Sequence, residues 1–430
     1  MSLTSDLVRL IRAKPVREGD LQRANLFVLD TLACALGALK TEPARILGKV
    51  AAPGGANVRQ RAFYLGGLSH ILELDDLHRT SVTHPGAVVI PATWALAEDR
   101  NLGGRAFLAA VLAGYEACAR IGNAVGKAHY KVWHNTSTCG PFGSAMACGQ
   151  LLGLTQDQSV WALGNAGTQS CGLWEFLSDG AMSKHLHTAR AAEAGVLAAQ
   201  LAAEGFTGPS AILEGEKGFF AGLCADPNPG AVLANPDAPW ELTRTSIKPW
   251  PCCRHTHPAI DAAISLYGRL GNRTVSRTRV ATYRAAIDVC DRPDPTDLYS
   301  AKFSLQHCVG VALQAGRVVK ASFGEEARHS AAVAGARVDL ELSLDMDRAY
   351  PDAWGAEVEV ETVDGSRLLE RREHCKGDPE NPVTDAGIAA KARSLMEDGG
   401  MPPAAATALI QAIGRLMDDE PVRGLRLFAA

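Results

Sequence analysis

The stretch AEVEVETVDGSRLLERRE (356–373) alternates polar and apolar residues and carries Asp364-Gly365 near its middle. Period-2 alternation around Asp-Gly predicts a β-hairpin with one wet face. Its position in the chain constrains the fold. Residues 1 to about 244 read almost wholly as helix, rich in Ala, Leu and Gly with few β-branched runs. After the Gly/Pro stretch GDPENP (377–382) helix returns, with Thr384 or Asp385 as cap and PAAATALIQAIGRLM at 403–417. A two-helix tail cannot bury an apolar face alone, so the economical solution returns it to the N-terminal helices. The expected fold is mostly α: a helical bundle domain from both chain ends, interrupted by a smaller inserted α+β domain. The expected domains are 1–244, 245–378 and 379–430, the last rejoining the first.

Within the bundle, LFVLDTLACALGAL (26–39) is apolar nearly all round and predicts a buried central helix. PGAVVIPATWALAE (85–98) reads as a loop feeding a helix, and further helices are expected at 107–122 and 181–206. In the insert, residues 279–289 and 337–344 carry β-branched and polar residues and read as strands, and FSLQHCVGVALQAG (303–316) between them reads as helix.

With 430 residues, 47% of them hydrophobic, the chain has ample core for two to three domains. A net charge of −4 argues against nucleic-acid binding, which calls for a basic stripe. It leaves an anionic small substrate open, because a pocket's local field can oppose the net charge. The opening MSLTSDLVRLIRAKP lacks a long apolar core, and no apolar run reaches a membrane span. A soluble, intracellular chain in the cytoplasm, with no membrane partner, is expected. The eleven cysteines are scattered, odd in number and without a CxxC, which reads as reduced thiols acting as small hydrophobes.

GxGxxG after a strand, GxxxxGK[ST] and GxSxG are all absent. Cys252-Cys253 is adjacent and cannot start an iron–sulfur ligand set. His255-x-His257 and His185-x-His187 are possible metal pairs, but no recognised zinc spacing surrounds them. No metal and no cofactor are therefore expected.

Titratable residues do recur beside Gly and Pro turns at the ends of apolar helices. ELDDLHRTSVTHPG holds Glu73, Asp75, Asp76, His78 and His84; KVWHNTSTCGPFG holds His134 and Thr136; GAMSKHLH holds Lys184, His185 and His187. KPWPCCRHTHPAID holds Lys248, Cys252, Cys253, Arg254, His255 and His257, and YSAKFSLQHC holds Lys302 and His307. Each has an ordinary reading: Glu73 to Asp76 as a solvated helix end, His134 as a surface histidine, Arg254 as solvent-facing. Together they suit one chemistry. Removing a proton α to a carboxylate makes a dianionic enolate, which needs fixed cations and donors, and a histidine can carry the proton.

In this order, THPG, GYEACARIG, HNTSTCGPFGSA, LGNAGTQSCGLWEF, GAMSKHLHTARAAEAG, GFTGP, KPWPCCRHTHPAIDA, AKFSLQHCVGVAL and GDPENPVTD resemble the MmgE/PrpD family across nearly the whole chain. The family includes 2-methylcitrate dehydratase, cis-aconitate decarboxylase and iminodisuccinate epimerase. The resemblance implies an α domain from both chain ends, an α+β lid, a homodimer, and cofactor-free catalysis between the domains. It implies catalytic roles for His84, His134, Lys184 and Lys248, with an acidic segment from Glu73 to Asp76 facing the site and His257 in the lid. Asp76 is expected to orient a histidine or act as the acid. Thr136, Cys253 and His307 are further expected substrate contacts. Where decarboxylase-like members carry an Asp, a Thr, a lid histidine and a tyrosine, this chain reads Glu73, Leu77, Cys253 and His307. The expected function is a metal-independent lyase or isomerase acting on a small di- or tricarboxylate by α-proton abstraction. A 2-methylcitrate-dehydratase-like hydro-lyase comes first, then an epimerase of an iminodisuccinate-like dicarboxylate, then a decarboxylase. The rival from another class is a non-catalytic dimer that binds carboxylates.

Overall fold

The structure, a computed structural model, describes residues 2–51, 57–425 and 427. It divides into two compact units: Met1–Ile247 with Thr384–Ala430, and Lys248–Val383.

The first unit is helical. Its axis is Glu18–Gly37, which is half-exposed at its start and fully buried from Phe27 to Gly37. The charged start and apolar end of one helix produce that gradient, and the apolar run 26–39 lies in its buried part. One acid, Asp30, sits inside the apolar run and is 1% exposed. A buried carboxylate must be paired. Its partner is Lys391 on the C-terminal Asp385–Asp398 helix, at 2.6 Å. The same ammonium donates to the Leu74 carbonyl at 2.7 Å. This ion pair fastens the returning tail to the axis helix.

Val58–His70, Gly86–Arg100 and Gly104–Gly122 pack against this axis, and Asn135–Leu151 and Ser183–Ala203 pack on those helices and on each other. Small residues allow the close approach. A Cβ built on Gly195 would lie 2.1 Å from the Ser144 side chain, so only glycine fits where Ser183–Ala203 crosses Asn135–Leu151. The PGAVVIP stretch is not a loop: the helix begins at Gly86, immediately after the N-cap Pro85. Proline tolerates that position because its missing N–H would have no helical partner. Among the described residues, no single helix is long and apolar enough to cross a membrane.

The second unit is α+β. Its four strands run in the order Val338–Leu342, Val275–Thr282, Ala356–Thr362, Arg367–Arg372. The first pair is parallel and the other two are antiparallel. Ala356–Thr362 alternates buried and half-buried residues along its length. Its buried face meets His257–Leu270, and its wet face carries ion pairs such as Arg279–Glu359 at 2.7 Å. Gly365 turns the hairpin with φ of 84°. Residues 279–289 correct a simple strand reading, because the strand ends at Thr282 and a helix runs over Arg284–Cys290.

Arg254 corrects the solvent-facing expectation. It is 2% exposed, and its guanidinium pairs with Asp378 at 2.5 Å and lies over the Trp354 ring at 5.5 Å. Burial opposes its charge most strongly, but Asp378, Cys375 and Tyr283 together raise its pKa. His255 stacks on Trp354 at 4.4 Å and bonds the Tyr283 hydroxyl through Nδ1 at 2.7 Å. This part of KPWPCCRHTHPAID therefore builds the core of the second unit. Asp378→Ala, which strands a buried cation, should cost about 3–5 kcal/mol in denaturant unfolding, and Arg254→Met with Asp378→Leu should recover most of it.

Candidate functional site

The best-defined cluster lies in the first unit, where three buried histidines converge from separate elements. His70 ends the Val58–His70 helix, His84 precedes the Gly86–Arg100 helix, and His134 is the N-cap residue of Asn135–Leu151. Their ring centroids lie 4.7 Å (His70–His84), 5.8 Å (His70–His134) and 6.2 Å (His84–His134) apart.

Tautomers follow from the partners. His84 Nδ1 lies 2.6 Å from the Asp76 carbonyl oxygen, which only accepts, so Nδ1 carries the proton and Nε2 the lone pair. Asp75 Oδ2 lies 3.2 Å from the same nitrogen and 2.7 Å from His70 Nδ1. One carboxylate oxygen thus orients two imidazoles. His134 Nδ1 faces His187 Nδ1 at 3.1 Å, and its ring lies 4.8 Å from that of Trp174. The Nε2 atoms of His70 and His134 are buried without a hydrogen-bond partner. Leaving such atoms bare costs about 1–3 kcal/mol each.

Burial and neighbouring charges disfavour the imidazolium of His134 and His187. Burial, reinforced by His187, Lys184, His70 and His84, holds His134 well below the usual histidine range. Burial, with His70 and Lys184, pushes His187 down to about 4. Lys184, in the first turn of Ser183–Ala203, pairs with Glu73 Oε1 at 2.5 Å. Both are almost fully buried, so Glu73 is not a solvated helix end. Glu73 also holds a left-handed backbone, with φ of 59°.

Asp76 differs from the expected arrangement. Its carboxylate accepts from the Gly86 N–H at 3.0 Å, capping a helix start, and only its main-chain carbonyl holds His84. Burial, with Asp75 beside it, pushes its pKa well up. The carboxylate beside the histidines is Asp75. Thr136 Oγ1 accepts from the His84 N–H at 3.0 Å, so it positions that backbone. His78 bonds Glu241 at 2.9 Å; burial opposes the Glu241 charge, yet His78, with Arg244 and Arg120, holds that carboxyl at about 2.

The remaining expected residues lie in the second unit. Lys248 is 1% exposed. His257 bonds the Cys252 carbonyl at 3.3 Å, and His307 bonds the Ser322 carbonyl at 2.7 Å. The Cys253 N–H donates to the Lys302 carbonyl at 2.9 Å, and its side chain is 8% exposed. The structure thus gathers His84, His134, Lys184 and Glu73, with Asp76 and Thr136 as supports.

His70 and the role of Asp75 were missed from sequence. The available signal was a histidine closing an apolar helix five residues before an acidic pair. Among the described residues, the groups that approach metal-site geometry are His70 with His84 and His134, and His374 with Asp378 and Glu380; neither H-x-H pair is among them.

Comparison with known proteins matches this architecture to one family. The MmgE/PrpD N-terminal domain matches residues 4–231 and the MmgE/PrpD C-terminal domain matches residues 250–414. The chain belongs to the MmgE/PrpD family. A cis-aconitate decarboxylase of Aspergillus terreus is 30% identical over 281 residues, covering 58% of this chain and 56% of that protein. The cis-aconitate decarboxylase-like protein oryM of Aspergillus oryzae is 29% identical over 271 residues, covering 56% of each. The cis-aconitate decarboxylase of Homo sapiens is 26% identical over 403 residues, covering 87% of this chain and 83% of that one. The match thus spans little more than half the length of the fungal relatives.

His187 sets a pH dependence. Its folded pKa of about 4 lies below the ordinary 6.5. The unfolded chain therefore binds the extra proton first, and stability present above about pH 6.5 is lost as pH falls toward 4. Between pH 7.5 and 4.5 the wild type should lose ~1–2 kcal/mol more unfolding free energy than His187→Asn, after allowance for partial exposure. Parallel denaturation curves for the two proteins would contradict this.

Proposed function

We propose that this chain is a lyase acting on a small di- or tricarboxylate by proton transfer at the carbon α to a carboxylate. The observation that carries the reading is His84: its Nδ1–H is committed to the Asp76 carbonyl and Asp75, so Nε2 is an oriented base. His84 Nε2 takes the α-proton and the electron pair passes into the carboxylate as an enolate. The Lys184 ammonium, beside Glu73, and neutral His134 stabilise that charge. Reforming the carbon–carbon double bond expels a β-hydroxyl, which leaves as water with the proton carried by the imidazolium. Asp75 holds the imidazolium in place, and the Asp76 side chain accepts from the Gly86 N–H.

A dehydration of the 2-methylcitrate type is the reading preferred here. The positions likened to a lid histidine and a tyrosine in decarboxylase-like members are Cys253 and His307, and the His307 Nε2–H is committed to the Ser322 carbonyl. Decarboxylation of cis-aconitate is the second reading, supported by the names of the relatives. It shares the enolate, with carbon dioxide as leaving group and the proton delivered to carbon. An epimerase would return the proton to the opposite face. Lys248 and His257 are proposed as carboxylate contacts, and the active form as a homodimer.

Proton NMR in D₂O on 2-methylcitrate, citrate, cis-aconitate and iminodisuccinate separates these readings. New vinyl signals with all carbons retained support dehydration. Loss of carbon dioxide supports decarboxylation, and α-deuteration with scrambling supports epimerisation. Binding without turnover or exchange would favour a carboxylate-binding protein. His84→Gln should lower turnover about 10²–10⁴-fold with an unchanged circular-dichroism spectrum. Lys248→Ala should lose turnover while melting near the wild-type temperature; full turnover would remove Lys248 from the mechanism.

A further inference from the structure

We propose that His70, His84 and His134 form a tris-imidazole site for a divalent transition cation of the zinc class, and that the bound cation caps the base and reversibly inhibits the enzyme. One ring nitrogen from each lies within 4.8 Å of the other two. Three imidazoles with an open fourth position are a donor set that Zn²⁺ and Co²⁺ accept readily.

Three observations go beyond proximity. The Nδ1–H groups of His70 and His84 are spent on Asp75 and the Asp76 carbonyl, so both rings offer Nε2 lone pairs. Metal-bound histidines are usually held this way, the second nitrogen donating to a carboxylate or carbonyl that fixes the ring. The Nε2 atoms of His70 and His134 are buried and unpartnered, on side chains 0% and 1% exposed, so a ligand here supplies bonds the fold withholds. Charge also suits a cation, because Asp75 stands directly behind two of the rings and Glu73 pairs with the nearby Lys184 ammonium.

Coordination uses the lone pair on His84 Nε2 that would otherwise take the α-proton. A bound cation and proton abstraction therefore exclude one another. The inhibition rests on the function proposed above; the binding site does not.

The test is titration of EDTA-stripped protein with Co²⁺, followed by the visible d–d absorption of low-coordinate cobalt. One equivalent per chain should bind. His70→Ala should weaken binding at least about 100-fold, and Asp75→Asn about 10–100-fold through loss of ring orientation. His374→Ala, in the other histidine–carboxylate group with Asp378 and Glu380, should leave binding unchanged. If His70→Ala does not fold, His134→Gln carries the same test. Zn²⁺ should stop α-deuterium exchange, and EDTA should restore it. Absence of a cobalt band, binding that survives both ligand variants, or loss of binding in His374→Ala overturns the site. Exchange that continues with the site filled overturns the capping. Cobalt binding with no exchange in metal-free protein would sink the proton-transfer reading while leaving the metal site standing.

Discussion

Three acids within four residues, Glu73, Asp75 and Asp76, are buried almost completely, and the candidate site depends on how their charges are met. Burying an unpaired carboxylate is prohibitive, so each must recruit a different partner. Glu73 takes Lys184, Asp75 takes His70 and His84, and Asp76 takes the N–H at the start of a helix. Lys391 closes the set by gripping the Leu74 carbonyl and Asp30. These contacts pin residues 73–76 to four helices, so the acidic segment brings the histidines together.

The consequence is a group of imidazoles held in place and aimed. Desolvation disfavours the imidazolium of His134 and His187, and the Asp76 carbonyl fixes the tautomer of His84. A neutral, oriented imidazole is what both a general base and a transition-metal ligand require. The same geometry therefore supports the proposed catalytic step and the proposed means of blocking it.

The KPWPCCRHTHPAID stretch shows how a charged motif can serve packing. Arg254 and His255 build on Trp354, Tyr283 and Asp378, and the His257 ring is tied to its own chain through the Cys252 carbonyl. The stretch is rich in titratable residues, but the aromatic residues Trp354 and Tyr283 and the distant Asp378 absorb Arg254 and His255. That Asp378 stands 124 residues away explains why local reading took Arg254 for a surface residue.

Periodicity determined the helical and α+β character of the two parts, because amphipathic patterning is local and survives in the linear chain. The alternating 356–373 hairpin and the apolar 26–39 run are legible for that reason. So were His84, His134 and Lys184, which stand beside turns at helix ends. Tertiary structure alone decided that His70 joins them, that Asp75 rather than the Asp76 carboxylate orients the rings, and that Thr136 holds the His84 backbone. These are choices of hydrogen-bond partner between elements far apart in sequence. They are set by which buried polar groups must satisfy one another once water is excluded, and that is a property of the packed chain.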